Sequence, residues 1–216
     1  MRLAITLIGF VNLIVALPTL GQGESAAPGL EISKRIFIPA DECQQNYEAL
    51  ESAANACYSL ANAAAKDARG GSGSRMKKFF KADDARTRET VATGFDRIAQ
   101  ECISNSGQSG FRCVDLTGQC VGQIYGYQTG TAIVVCDPFY GWPLNSRECN
   151  ANTQAVNLIH EISHLGFTVA SSDYNSCYGL DCAVSLPGYQ NLKHADTYRL
   201  YAQGKLLATV PSRCKS

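Results

Sequence analysis

The chain has 216 residues, 45% of them hydrophobic, and its 19 basic residues are balanced by 19 acidic ones. That length supports one domain with a sizeable core and is too short for two large ones. A formal charge of zero excludes the strongly basic surface that nucleic acid or an anionic membrane would call for.

Met1-Arg2-Leu3 and the apolar run from Ala4 to Leu17 have the short positive start and hydrophobic stretch of a secretory signal, with small residues near Gly21 offering a cleavage point. Asn12 and Pro18 interrupt the run, and its apolar core falls short of the roughly 20 residues that span a bilayer. Residues 1–21 are therefore predicted to be a signal peptide, and the mature protein to be secreted, extracellular, free of the membrane and monomeric. Residues 22–35 form a flexible stretch ending in Lys34-Arg35, either the cut site of a short pro-segment or an ordinary pair of surface charges. Residues 36–216 are read as a single domain.

Ten cysteines, Cys43, Cys57, Cys102, Cys113, Cys120, Cys136, Cys149, Cys177, Cys182 and Cys214, all lie beyond the signal. An even set in an exported chain argues for five disulfides, and the absence of C-x-x-C spacing argues against a cysteine metal site.

From Asp41 to Arg69 apolar residues recur every three or four positions, which predicts an amphipathic helix ended by Gly70-Gly71-Ser72-Gly73. Thr87 to Ile103 predicts a second helix antiparallel to it, and Cys57 and Cys102, on the inward stripes, are placed to bridge the two. Phe111–Leu116, Gln119–Tyr127 and Thr131–Cys136 are rich in Val, Ile, Tyr and Thr, and predict a small antiparallel sheet stapled by Cys120 and Cys136. After a loop over 137–147, a third helix is predicted over Asn152–Phe167 and a fourth from about Leu192 to Leu207.

The third helix carries His160-Glu161-Ile162-Ser163-His164. Two histidines four apart project from one helix face and can chelate one ion, and a Glu following the first can hold the metal's water, which points to a zinc peptidase motif. A catalytic zinc takes three protein ligands. The third is not a downstream Glu, because none follows Glu161, nor a histidine of the long H-E-x-x-H-x-x-G-x-x-H motif, because Phe167 and Ala170 stand at its Gly and His. Asp173, Asp181, Asp196, His194 or a cysteine remain.

The downstream stretch Ala170-Ser171-Ser172-Asp173-Tyr174-Asn175-Ser176-Cys177-Tyr178-Gly179 and the later Ala195-Asp196-Thr197-Tyr198 resemble the Gly-Thr-x-Asp-x-x-Tyr-Gly and Asn-Ala-Asp-Ser/Thr-Tyr segments of the deuterolysin family, the aspzincins. The resemblance covers about residues 41–214. It implies an α+β, mainly helical, zincin-like, disulfide-stapled fold and a secreted endopeptidase acting on proteins and peptides with one zinc per chain. It further implies His160, His164 and Asp173 as metal ligands, Glu161 as general base and Tyr178 as donor to the reaction's oxyanion, with Asp196 and Tyr198 near the metal or the substrate. Two departures stand out. Two extra residues separate Asp173 from Tyr178, and if the register is taken from Tyr178-Gly179 the ligand slot holds Asn175. His194 replaces the family's Asn, with a fourth metal contact, a substrate contact and a helix-surface residue as its three readings, of which the last is preferred. The alternative function is a catalytically degenerate binding protein on the same scaffold.

Overall fold

A computed structural model of the chain describes residues 38–103, 109–148 and 150–206. The predicted signal, the stretch ending in Lys34-Arg35, and Cys149 and Cys214 lie outside the described residues.

A single helical turn, α1 (Ala40–Cys43), and a 3-10 turn (Gln44–Asn46) precede the long helix α2 (Tyr47–Gly70). The predicted first helix is thus divided, because Gln44 adopts a left-handed φ of 35° that a continuous right-handed helix cannot contain. The glycine run ends α2 as expected, but a helix missed by the periodicity follows at once: α3 (Gly73–Phe80). Ser72 caps it by accepting from the Arg75 N–H at 3.4 Å, and it buries Met76, Phe79 and Phe80. Helix α4 (Ala85–Cys102) starts where the Asp84 carboxylate accepts from the Thr87 N–H, and the Cys57–Cys102 disulfide ties it to α2.

The sheet is mixed rather than antiparallel. Strands β1 (Gly110–Arg112), β2 (Gly126–Thr129) and β3 (Ala132–Val135) lie in the order β1-β3-β2, with β1 parallel and β2 antiparallel to β3. Composition signals extended chain but not its direction, and most of the predicted strand over 119–127 is loop. Disulfides Cys43–Cys113 and Cys120–Cys136 pin the connection from β1 to β2, residues 113–125, at its start and near its middle. Inside it Asp115 accepts from the Tyr127 hydroxyl and from the Cys120 and Thr117 N–H groups. These donors, the Tyr127 hydroxyl foremost, hold the Asp115 carboxyl well below its ordinary range. A depressed carboxyl adds stability that is complete above its unfolded pKa of about 4 and is lost as pH falls through the lower folded value. Protection of residues 116–124 against hydrogen exchange, relative to the intrinsic rate at each pH, is therefore expected to fall below about pH 4. Equal protection at pH 7 and pH 3 would refute this role.

A 3-10 turn (Asp137–Gly141) leads to α5 (Gln154–Ser163), followed by α6 (Gly179–Ser185), α7 (Gly188–Asn191) and α8 (Ala195–Leu206). Helix α5 stops at Ser163, short of the predicted Phe167, because the Thr168 hydroxyl folds back onto the Ile162 and Leu165 carbonyls. Helix α2 sits at the centre, against α4, α5 and α8. Its buried face is largely alanine (Ala53, Ala54, Ala61, Ala64, Ala65 and Ala68), so three helices approach one axis closely. No described helix is long and apolar enough to cross a membrane.

Phe79, Phe80, Phe95, Tyr198 and Tyr201 pack with ring centroids 5.0–6.0 Å apart. Tyr198, which the resemblance places near the metal or the substrate, is 1% exposed in this cluster, where its position on α8 faces Phe80 of α3 and Phe95 of α4. Beneath the cluster Asp67 accepts from Arg75 at 2.8 Å and from the Tyr201 hydroxyl at 3.0 Å. Asp67→Ala is expected to destabilise the protein by about 3–5 kcal/mol, since it strands a mostly buried guanidinium and a buried hydroxyl. Urea denaturation would show this, and a loss under about 1 kcal/mol would mean that water serves both groups equally well.

Candidate active site and metal centre

The Thr153 hydroxyl caps α5 by accepting from the Val156 N–H. Ten residues later the helix ends with His164 at its C-terminal boundary, so His160 and His164, one turn apart, share the face turned toward the sheet. The two Nε2 atoms lie 3.3 Å apart. Packing of α8 against α5 sets Asp196 behind His160, its Oδ1 3.0 Å from Nδ1. On the other ring the Ser171 carbonyl is 3.1 Å from His164 Nδ1. A carboxylate and a carbonyl only accept, so both Nδ1 atoms carry hydrogen and both Nε2 atoms present lone pairs.

Asp173 completes the group. The loop after α5 is tied to the start of α8 by Ser172 N–H to the Lys193 carbonyl and Ala195 N–H to the Ser172 carbonyl. This brings Asp173 Oδ1 to 3.3 Å from His160 Nε2 and 3.6 Å from His164 Nε2. That oxygen is buried and has no hydrogen-bond partner. The extra residues are taken up by Tyr174, Asn175 and Ser176, whose φ values of 38°, 61° and 61° make a left-handed turn closed by Cys177 N–H to the Asp173 carbonyl. Asn175 is exposed on that turn and Asp181 is exposed on α6; neither lines the cleft.

Three acceptor atoms without a shared proton repel unless a cation lies among them. Burial opposes a charge on His160, yet Asp173 and Asp196 outweigh it and raise its imidazole to about 10, so a proton takes that place when no metal does. Burial likewise opposes ionisation of Asp173, but the two imidazoles hold its carboxyl below the usual range. The spacing suits zinc, because a tetrahedral ion with bonds of about 2.0–2.1 Å sets its ligands about 3.3–3.4 Å apart. Glu161, 7% exposed, borders the pair, and burial raises its carboxyl against the opposing pull of both histidines.

Asp196 is 1% exposed and fully engaged, by His160, by the Gly179 N–H and by both faces of the Arg199 fork. These partners hold its carboxyl far below the usual range despite burial. Tyr178 precedes α6, and its hydroxyl donates to Asp173 Oδ2 at 3.0 Å. Burial and the Asp173 charge push that phenol up to about 12. His194, read from the sequence as a surface residue, is fully buried between the Cys177 carbonyl and the Thr197 hydroxyl. It sits beside Cys177 and Cys182, which are joined as a disulfide and so offer no thiolate to a metal. Arg199 and Ser171 escaped the sequence reading. The first carried a signal, its spacing of three from Asp196 on one helix; the second acts through a main-chain carbonyl and carried none.

A cleft of about 620 Å³ runs over these groups, bounded by β2, by Tyr125 stacked on Trp142, and by α5. This fold is shared with a solved zinc peptidase from Grifola frondosa, with a TM-score of 0.62 over 74% of this chain and 96% of that one at 19% identity. The chain belongs to the deuterolysin metalloprotease (M35) family, whose model matches residues 5–214. Its relatives include a neutral protease 2 homolog of Pyricularia oryzae, 37% identical over 174 residues (80% of this chain, 50% of the relative). Penicillolysin of Penicillium citrinum is 34% identical over 158 residues (71% of this chain, 45% of the relative). The chain spans about half the length of the curated relatives it matches.

Proposed function

We propose that this chain is a secreted zinc-dependent endopeptidase that hydrolyses peptide bonds in proteins, binding one zinc through His160, His164 and Asp173. The observation that carries the reading is the convergence of two imidazole lone pairs and an unpartnered carboxylate oxygen at zinc ligand spacing. Zinc in such a site polarises a scissile carbonyl and lowers the pKa of water toward neutrality. Glu161 takes a proton from the attacking water and delivers it to the leaving amine, a role favoured by a carboxyl that burial has made more basic. Asp196 holds His160 in the Nδ1–H tautomer, and Ser171 does the same for His164. Tyr178 steadies Asp173 before reaction and turns its hydroxyl to the oxyanion as charge develops there.

Substrate adds as a strand to the free edge of β2. The Tyr125 carbonyl accepts from the Cys136 N–H and so faces β3, and main-chain direction alternates along a strand, so the N–H and C=O of Gly126 face the cleft. Both Asp196 oxygens are occupied, so this carboxylate has no spare capacity to bind a substrate side chain. Residues 1–21 act as the signal, and Lys34-Arg35 is either the cut site of a short pro-segment or an ordinary pair of surface charges. Metal analysis and casein cleavage test the reading together. One zinc per chain, with cleavage abolished by a chelator and restored by zinc, is the expected result. A purified chain that binds no zinc and cleaves nothing would favour the degenerate binding protein instead.

A further inference from the structure

Asp196, Arg199 and Gln203 fall on one face of α8, and all three reach toward α5 or the segment that enters it. The Arg199 guanidinium forks onto the Asp196 carboxylate, Nε–H to Oδ1 and Nη2–H to Oδ2 at 3.0 Å, while its Nη1 donates to Asn152 Oδ1 at 3.1 Å. Asn152 directly precedes the Thr153 cap of α5, and Gln203 holds the same segment by donating to the Ala151 carbonyl at 2.7 Å. These contacts close a ring. Asn152 and His160 belong to the α5 segment, Arg199 and Asp196 to α8, and the two segments are joined at both ends. Neutralising a buried carboxylate needs only a cation, which a lysine would supply as a point charge. A planar bidentate fork does more, because it fixes the plane of the carboxylate it grips. The terminal torsions of Asp and His side chains are both broad, so something must hold them. With the Asp196 plane fixed, Oδ1 stays aimed at His160 Nδ1, 3.0 Å away, and the imidazole keeps its Nε2 turned toward His164 and Asp173.

We infer that Arg199 is a positioning residue for the metal centre: its fork, braced by Asn152, locks the Asp196 carboxylate onto the Nδ1–H of His160 and so sets how tightly the site holds zinc. This inference rests on the zinc reading of the site and deepens it. A mere brace between α5 and α8 would act on the stability of the metal-free protein whatever stood at position 196. A positioning residue acts on zinc affinity, and only while the Asp196 carboxylate is there to transmit the effect.

The test measures zinc affinity of the full chain by competition with a chromophoric chelator, beside thermal denaturation of the metal-free forms. Arg199→Met is expected to weaken zinc binding by about 10–100-fold. In an Asp196→Asn background the same change should alter affinity by no more than about twofold, because the carboxylate through which the fork acts is gone. Arg199→Lys should recover only part of the loss, since it restores the charge without the fork. Asn152→Ala, at an exposed position that leaves the fork on Asp196, should lose less than Arg199→Met. Circular dichroism reports folding, and the lysine and alanine variants decide if the methionine variant does not fold. Unchanged affinity in the Arg199 variants, full recovery by lysine, or an equal loss in the Asp196→Asn background would overturn the inference while leaving the endopeptidase reading intact. A wild type that binds no zinc would overturn both.

Discussion

Glu161→Gln is expected to lower kcat/KM on casein by about 10²–10⁴-fold while leaving one zinc per chain. Glutamine matches glutamate in shape and can still hydrogen-bond a water, but it cannot accept the water's proton. The effect should therefore fall on the chemical step and appear in kcat, with little change in the concentration dependence. The fold should be untouched, because Glu161 makes no ion pair among the described residues and sits at the wall of a cleft that tolerates an amide. Initial rates measured beside metal content on the same preparations give the answer. A zinc-loaded Gln variant within tenfold of wild type would remove Glu161 from the reaction.

Asp173→Ala is expected to strip the zinc, whereas Asn175→Ala is expected to keep it, together with most of the activity. The aspartate is the group that brings negative charge to a site otherwise made of two neutral imidazoles, and its Oδ1 lies within 3.6 Å of both Nε2 atoms. Loss of a direct ligand should exceed the roughly 10–100-fold drop in metal affinity that follows loss of a group supporting a ligand. Asn175 points to solvent from the left-handed turn, so its removal costs only surface polarity and some local backbone preference, asparagine being better suited than alanine to positive φ. Mass spectrometric metal analysis after dialysis separates the two. Zinc retained by Asp173→Ala and lost from Asn175→Ala would move the third ligand to the register set by Tyr178-Gly179.

Helical periodicity marked α2, α4, α5 and α8 in the sequence, because each buries one stripe of a long enough helix to leave a repeating pattern. It missed α3, α6 and α7, which are four to eight residues long and sit among glycines, prolines and cysteines that read locally as turn. Extended composition located the sheet, but the parallel pairing of β1 with β3 was invisible, since strand direction is fixed by the connection and the connection is an irregular loop pinned by Asp115 and two disulfides. The histidine pair and its glutamate were legible because their geometry is local, one turn of one helix. Asp173 was left in competition with Asn175, since a left-handed turn of three non-glycine residues has no sequence signature and it alone decides which side chain faces the histidines. The same holds for Tyr198, whose place in the core rather than the cleft depends on how α8 is rotated against α3 and α4. Sequence by itself determined the chemistry available and the helix that presents it. Tertiary structure decided which side chain faces the two histidines and set the clamp of Arg199 on Asp196, because each depends on contacts between segments that only packing brings together.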